Sequence, residues 1–590
     1  MRKNGFLPIN AAEMRGLGWD EADIVFVTGD AYVDHPSFAM AMLGRALEAE
    51  GFKVAILAQP DWRSCKPWRE FGKPRLFFAV SAGNVDSMIN HYTANRKIRS
   101  SDEYSPGGRA GLRPDRATMV YCQRAREAFP GVPVIAGGVE ASMRRLAHYD
   151  YWSDTVKRSL LLDAKADMLV YGMGENRLAG IAKKMASGGQ VRDLRGMRGT
   201  VHALGASETA PQDALIIPSY EEVRADKKAF NLATKIILEN TNPHNAATIV
   251  QMHGDRAIVQ SPPSLPATTE ELDHVYALPY MRAPHPAYKE KIPAWEMIKD
   301  SITAHRGCYG GCSFCSLTLH QGKIIQSRSQ KSVLDEVAKL ASSPDFCGTV
   351  SDIGGPSANM YGTSCRNPQA QAACRRYSCL HPDICPNLNA DCSAAVELLE
   401  KASATKGVKK VIISSGVRMD LALREPKYLV RLASKHTGGQ LSVAPEHICD
   451  RVLQLMRKPK AKTFTDFMEC FLRESKKAGL EQYIVPYFIS AFPGSDMNAM
   501  VELALYLKKH NLRPRQVNDF IPAPMEYATA IYYTGQDPVT GEQVYVPKTE
   551  QERRLQRALL QYFKTENFPL VMKALRLAHR MDAARILSSR

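Results

Sequence analysis

The sequence predicts an α/β protein in which an N-terminal doubly wound parallel sheet is followed by a partial barrel of six βα units. In the first third, short apolar runs that end in glycine or a polar turn alternate with helical segments. The same alternation returns over about 250 residues in the second half. At 590 residues the chain is also too long for one ordinary core, so two or three domains are expected.

Five apolar runs form the predicted N-terminal sheet, and the segment 37–50 between the first two has helical periodicity. The runs lie at 23–29, 52–57, 75–80, 132–138 and 166–172. Ligands of parallel sheets bind beyond the carboxyl ends of the strands. One crevice should therefore be surrounded by residues 28–35, 81–84, 137–140 and 172–175.

Domain boundaries follow from where this periodicity fades. The sheet domain is predicted at 1–190, and the segment 191–293, punctuated by glycine and proline, reads as a connecting region with a small subdomain. Its end, 279–286, should form an extended strap across the two domains. The core is expected at 294–545 and a basic, helical C-terminal extension at 546–590.

Three closely spaced cysteines open the core, at Cys308, Cys312 and Cys315. Thiolates hold iron-sulfur clusters, and three of them on a cubane leave one of the four irons open. Zinc is the alternative, since His305 and His320 flank the loop. Chance predicts only ~0.01 such triplets in a chain of this composition.

The Cys308-x3-Cys312-x2-Cys315 pattern, with Phe314 before the last cysteine, resembles the signature loop of the radical S-adenosylmethionine (SAM) superfamily. The resemblance implies a 4Fe-4S cluster on the three thiolates, with SAM on the open iron. It implies reductive cleavage of SAM to a 5′-deoxyadenosyl radical, and an electron donor such as a flavodoxin or ferredoxin. The superfamily's Gly-Gly-Glu segment implies backbone contacts to SAM from Gly354 and Gly355, although Pro356 replaces the third residue.

Strand-like runs at 408–416, 441–446, 483–489 and 516–522 complete the six βα units of a radical SAM barrel. Barrel chemistry sits at the carboxyl ends of the strands. The candidate wall residues are therefore Ser415, Arg418, Glu446 and Ser490. Of these, Ser415 and Glu446 are assigned to cofactor binding, together with Phe314 of the cysteine loop.

Further segments resemble the YgiQ family of radical SAM proteins, whose reaction is undefined: 32–38, 59–62, 444–447, 452–459, 520–525 and 530–535. The match covers nearly the full length. The N-terminal third also resembles a cobalamin-binding domain, but the Asp-x-His-x-x-Gly motif is absent because His35 directly follows Asp34. Cobalamin binding therefore stays open, and His35 and His148 are interpreted as structural.

A second group of cysteines lies in an insert at 357–395: Cys365, Cys374, Cys379, Cys385 and Cys392. Long loops without regular structure are usually functional. The first four cysteines are predicted to hold a second iron-sulfur cluster or zinc, since sulfur ligands suit both. Cys347, Cys449 and Cys470 are interpreted as packing residues.

Charge and hydropathy limit which other classes of protein this chain could belong to. The net charge of +16 is compatible with RNA binding, but the basic residues are spread widely. The sequence contains no apolar run long enough to predict a membrane span. Residues 1–8 contain no apolar signal segment, so the cytoplasm is the expected location.

Two alternative functions remain. One is a methylthiotransferase-like modifier of RNA or protein, a class with three N-terminal cysteines where this chain has only Cys65 and Cys122. The other is a non-enzymatic, metal-stabilised nucleic-acid-binding protein.

Overall fold

The computed structural model describes residues 5–205 and 207–588. Residues 1–4 lie outside these ranges. They are half of the segment 1–8, in which the sequence shows no apolar signal segment. Within the described ranges, none of the helices combines the length and the apolar character needed to cross a bilayer.

The strands of the N-terminal half are β1 (Ile24–Thr28), β2 (Val33–Asp34), β3 (Val54–Ala58), β4 (Phe77–Ser81), β5 (Val134–Ala136), β6 (His148–Asp150), β7 (Thr155–Lys157), β8 (Met168–Val170), β9 (Thr200–Ala203), β10 (Leu215–Ile217), β11 (Ile249–His253), β12 (Arg256–Gln260) and β13 (Ala283–Pro284). Its helices are α1 (Ala11–Gly16), α2 (Ala39–Ala49), α3 (Ser87–His91), α4 (Ala117–Ala128), α5 (Gly138–Ser142), α6 (Leu160–Asp163), α7 (Glu175–Ala186), α8 (Tyr220–Ala225), α9 (Lys227–Glu239), α10 (Thr269–Tyr276) and α11 (Pro293–Ile298).

The predicted doubly wound sheet is confirmed by five parallel strands in the order β3-β1-β4-β5-β8. Alternate side chains of β1 face opposite sides: Phe26 packs in the core beneath α2 and α7, and Val25 packs in the core beneath α4. Because both faces are covered, each strand is apolar throughout, which is why its sequence shows a continuous run.

The sheet continues beyond the predicted strands. Among the described residues it reaches nine strands, because β9, β12, β11 and β10 add to the edge at β8, with antiparallel pairs from β8 through β11. These strands come from the region that the sequence indicated only as a connection. They are only three to five residues long, so each is too short for a clear periodic signal.

The predicted strap joins the two halves. Its strand β13 pairs with β2, and Arg282 forms an ion pair with Glu336 of the core. The strap thereby covers residues 33–34. The predicted segment 28–35 does not line the main crevice.

The strands of the second half are β14 (Ser301–Thr303), β15 (His305–Arg306), β16 (Gln326–Ser327), β17 (Thr349–Val350), β18 (Asp352–Gly354), β19 (Ser364–Cys365), β20 (Leu388–Asn389), β21 (Lys410–Val411), β22 (Gln440–Glu446), β23 (Tyr483–Ser490) and β24 (Asn518–Asp519). Its helices are α12 (Leu317–Gln321), α13 (Gln330–Ala341), α14 (Pro368–Ala373), α15 (Ser393–Ser403), α16 (Met419–Ala422), α17 (Pro426–Lys435), α18 (Asp450–Met456), α19 (Ala461–Lys477), α20 (Met497–Lys509), α21 (Tyr527–Thr534), α22 (Glu550–Leu560), α23 (Phe568–Leu577) and α24 (Ala584–Ser588).

Six βα units follow one another in this half, as the sequence predicted. Parallel ladders join β14 to β18, β17 to β21, β22 to β23 and β23 to β24. The amphipathic helices α13, α15, α17, α19 and α20 bury one face each against these strands. The C-terminal segment is helical, and α22 packs against α20 and α23.

A buried ion-pair network fixes the carboxyl edge of the N-terminal sheet. Arg113 donates to both carboxylate oxygens of Asp102, at 2.8 and 3.0 Å, and to the carbonyl of Ala82 at 2.9 Å. Its guanidinium also lies 2.9 Å from Asp30, just after β1. All three charged side chains are at most 5% exposed, so the two carboxylates depend on this single cation.

Arg113→Ala should therefore destabilise the N-terminal sheet by about 3–5 kcal/mol, because it leaves two buried carboxylates without a counterion. Urea unfolding followed by circular dichroism measures this effect. The control is Arg109→Ala, which removes an exposed ion pair to Glu290 and should cost less than about 1 kcal/mol. Equal effects of the two changes would contradict the role of the buried network.

Candidate active site

The cysteine loop follows β15 and ends at α12, and distant segments fix its shape. Ser313 accepts a hydrogen bond at its carbonyl from the Ala528 N–H at 2.8 Å and donates through its hydroxyl to the Leu455 carbonyl at 2.7 Å. The Cys308 N–H donates to Gly322 at 3.0 Å. The loop is thus held by α18, α21 and the end of α12.

Two sulfurs of the loop lie beside Gly310. A Cβ at Gly310 would lie 3.3 Å from Cys308 Sγ and 4.0 Å from Cys312 Sγ. Burial, followed by the neighbouring Cys312 thiol, raises the pKa of Cys308 and of Cys315. These thiols therefore stay protonated by themselves, and bound iron would supply the positive charge that makes them thiolates.

The flanking histidines are directed elsewhere. The ring of His305 lies against Gly355, and His320 Nδ1 lies 3.2 Å from Ser142 Oγ. Both rings therefore contact residues outside the cysteine loop. Within residues 5–205 and 207–588, no group of three or more His, Cys, Asp or Glu side chains is arranged to hold a metal ion.

Arg418 brings a positive charge to the cysteine loop. Its guanidinium Nη1 lies 3.8 Å from Cys312 Sγ, and its other nitrogens donate to Asp420 at 2.6 and 3.0 Å. Burial would lower the pKa of this guanidinium, but Asp420 and the cysteines raise it. Arg418 therefore remains charged and can balance the negative charge of thiolates.

The glycine pair that follows β18 is tightly enclosed. A Cβ at Gly355 would lie 2.6 Å from the His305 carbonyl, and a Cβ at Gly354 would overlap Ser415 Oγ. Ser415 in turn donates to Asp352 at 3.0 Å through both its N–H and its hydroxyl. The sequence assigned these glycines to ligand contact, and the structure adds that neighbouring protein atoms also require them.

The two remaining wall candidates are buried at strand ends. Glu446 lies at the end of β22 with a φ of 68°, and its Oε1 is 3.7 Å from Lys458 Nζ. Burial raises the pKa of Glu446, opposed by Lys458. The hydroxyl of Ser490 already has a protein partner, because it donates to Asp519 on the adjacent strand.

A cavity of about 740 Å³ separates the N-terminal sheet from the barrel beside the cysteine loop. From the sheet it is lined by the predicted segments at 81–84, 137–139 and 172–175, and from the barrel by His305 and Gly354–Pro356. The segment 28–35 does not line it; some of its residues enclose a separate cavity of about 10 Å³ under the strap. His35 and His148 are absent from its lining: His35 Nδ1 accepts the Ser37 N–H at 3.1 Å, and His148 Nδ1 lies 3.1 Å from the Leu146 carbonyl.

The cysteine-rich insert packs directly on the cysteine loop. Ser378 Oγ donates to the Gly310 carbonyl at 2.7 Å, and the Cys379 N–H donates to Tyr309 at 3.0 Å. Gly311 has a φ of 60°, and a Cβ there would lie 2.7 Å from Ser378. The sequence gave no indication of this contact, because the two segments are separated by about 70 residues with no shared pattern.

Within the insert, Cys379 interacts electrostatically with both Cys374 and Cys385. Cys365 lies on the ribbon of β19 and β20, where its thiol donates to the Asn367 carbonyl at 3.3 Å. Cys392 is buried, with its thiol near the Asn359 carbonyl at 3.6 Å. Cys374 and Cys385 thus lie within electrostatic range of Cys379, and Cys365 pairs with Leu388, whose N–H donates to the Cys385 carbonyl at 3.0 Å.

Sequence reasoning missed one buried acid, Glu526. Its Oε2 has no hydrogen-bond partner in the described part of the chain, and it interacts electrostatically with Asp86, Cys315 and Tyr377. Burial, and then Asp86, raises its pKa well above 4.5. The only indication in the sequence was that Glu526 directly follows the segment 520–525, which resembles the YgiQ family.

A family model described as "Radical SAM N-terminal" matches residues 6–301. UPF0313 protein GSU2873 of Geobacter sulfurreducens is 51% identical and covers 99% of this chain and 96% of its own length. UPF0313 protein YgiQ of Escherichia coli K12 is 47% identical, covering 97% of this chain and 85% of its own. The chain belongs to the YgiQ family of radical SAM proteins.

The fold of this YgiQ-family chain has a solved counterpart. The radical S-adenosylmethionine methyltransferase TsrM from Kitasatospora setae, with cobalamin and a 4Fe-4S cluster bound, matches with a TM-score of 0.51 and 14% identity. The match covers 94% of this chain and 100% of TsrM, so the two share the arrangement of sheet and barrel. A second model, described as a domain of unknown function (DUF3362), matches residues 515–584 of the YgiQ-family chain.

Glu526→Gln should change how stability depends on pH. Since the folded-state pKa lies above the unfolded value, the stability that this group contributes is complete below pH 4.5 and is lost as pH rises through the folded pKa. The glutamine variant stays neutral, so its thermal midpoint should rise relative to the natural chain between about pH 5 and 8.

The exposed Glu270 provides the matched control. Glu270→Gln should keep a constant difference in midpoint from the natural chain over the same range. A constant difference for Glu526→Gln as well would show that Glu526 ionises freely in the folded protein.

Proposed function

We propose that this protein is a radical SAM enzyme that binds a 4Fe-4S cluster through Cys308, Cys312 and Cys315 and cleaves SAM reductively. The observation that carries the proposal is the gathering of three half-buried thiols in one loop, beside a glycine pair and a cavity, in a chain of the YgiQ family. When bound, the cluster and SAM supply an electron transfer that cleaves the sulfonium, giving methionine and a 5′-deoxyadenosyl radical that abstracts hydrogen from the substrate.

The chain's own residues would orient the cofactors. Arg418 offsets the negative charge of the thiolates, since its guanidinium lies 3.8 Å from Cys312 Sγ. Gly354 and Gly355 would offer backbone carbonyls to the SAM amino group, and the Gly354 carbonyl, which accepts the Ala304 N–H at 2.7 Å, keeps a second lone pair for it. Ser415 and Glu446 stay assigned to SAM contacts, and Phe314 supports the loop by packing edge-on against Phe492 at 5.9 Å.

The cavity between sheet and barrel is the proposed place of substrate entry. Radicals require exclusion of water, and the lining of this cavity as a whole is mainly apolar. TsrM was solved with cobalamin, and the glycines at 83, 137, 138, 172 and 174 would leave room for a flat corrinoid against the sheet. Neither His35 nor His148 would be its cobalt ligand, because neither lines the cavity.

The alternative functions have less support. Membership of the YgiQ family favours radical SAM chemistry over a non-enzymatic zinc protein. Methylthiotransferases resemble the core, but the only cysteines of the N-terminal third, Cys65 and Cys122, do not form a triad, and Cys122 is fully buried.

Dithionite-reduced, reconstituted protein should convert SAM to 5′-deoxyadenosine, measured by liquid chromatography under anaerobic conditions. Cys312→Ala should abolish the product, because it removes one of three iron ligands. The control Cys347→Ala changes an exposed cysteine outside both groups and should keep full turnover. Intact clusters that never cleave SAM would refute the proposal.

Gly355→Ala should weaken SAM binding on the order of 10- to 100-fold, because the added Cβ must displace the His305 backbone and so the glycine pair. Equilibrium dialysis with reconstituted protein measures this affinity. Gly416→Ala is the matched control, since a Cβ there meets nothing within 4 Å. Unchanged affinity in Gly355→Ala would exclude the glycine pair from the SAM site.

A further inference from the structure

We propose that Cys374, Cys379 and Cys385 hold a second iron-sulfur cluster, which passes electrons to the cluster on the Cys308 loop. The binding part of this inference concerns residues outside the proposed SAM site and is testable without it. Its first support is the convergence of the three thiols. The Cys385 N–H donates to the Cys379 carbonyl at 2.8 Å, and both cysteines pack against the same small apolar cluster. Cys374 lies within electrostatic range of Cys379.

The loop that carries these thiols is held in shape by polar contacts. Arg376 donates to the carbonyls of His381 and Asp383 at 3.0 and 2.9 Å. Ser378 Oγ accepts the N–H groups of Leu380 and His381 at 3.0 and 3.1 Å. These hydrogen bonds therefore hold the backbone between Cys379 and Cys385 in one conformation, as a cluster-binding loop requires.

A buried cation completes the site. Lys323, which is 6% exposed, places Nζ 3.3 Å from Cys374 Sγ and 2.6 Å from the Arg376 carbonyl. A buried lysine needs an anionic partner. The Cys374 sulfur supplies one when it is a thiolate, and iron makes it so.

Sulfur ligands suit zinc as well as iron-sulfur clusters. The contact with the Cys308 loop favours a cluster over zinc, because zinc has no redox chemistry and could not pass electrons to that loop.

Contact with the Cys308 loop suggests the role. One hydrogen bond of 3.0 Å joins the backbone of Cys379 to Tyr309, which is adjacent to Cys308. Cys308, Cys379 and Cys385 also pack against the same small apolar core around Tyr309. A one-electron donor protein of the flavodoxin or ferredoxin class would reduce the second cluster by one electron, and the same electron would then reduce the first.

Iron and acid-labile sulfide analysis tests the site in anaerobically reconstituted full-length protein. We expect about eight iron atoms per chain, falling to about four in Cys379→Ala and remaining near eight in the control Cys347→Ala. A variant with all three of Cys308, Cys312 and Cys315 changed to Ala should also retain about four, with an electron paramagnetic resonance signal after reduction.

About four irons in the natural chain, with or without one zinc, would overturn the inference, as would iron that is unchanged in Cys379→Ala. Loss of iron in Cys365→Ala would contradict the three-cysteine assignment. The relay is tested by reducing Cys379→Ala: dithionite should still reduce its remaining cluster, whereas reduction by a flavodoxin or ferredoxin should be lost. Unchanged reduction by the donor protein would refute the relay while leaving the proposed SAM cleavage intact.

Discussion

The rest of the site depends on the backbone contacts that tie the cysteine loop to distant segments. A loop of ten residues has no core of its own, so its hydrogen-bonding groups must find partners elsewhere. Ser313 finds them in α18 and near the start of α21, and Gly310 finds one in Ser378 of the insert. Any cluster on this loop is consequently positioned by the barrel and the insert together.

A second constraint is the parallel direction of the strands in both halves. Parallel strands direct their carboxyl ends to one edge, and the two edges face each other across the cavity. The strap stabilises this arrangement, because Arg282 pairs with Glu336 of the barrel while β13 pairs with β2 of the N-terminal domain. A substrate in the cavity would therefore contact both domains, and catalysis would depend on their relative position.

Local patterns predicted what depends on local chemistry. The long apolar strands, the amphipathic helices, the Cys308 loop and the glycine pair all have signals within a few residues. The strands β9 to β12 escaped prediction because runs of three to five residues give little periodicity. Glu526 escaped because a single glutamate carries no sign of burial, and its raised pKa comes from desolvation by residues far away in the chain.

By itself the sequence determined the fold class, the three cysteines of the cluster loop and the family resemblance, because spacing and residue type are properties of the chain. Only the tertiary structure decided that the insert packs on that loop, that Cys365 lies opposite Leu388, and that residues 33–34 pair with the strap. Those outcomes depend on contacts between segments far apart in sequence, where burial and charge are set by neighbours that no local pattern specifies.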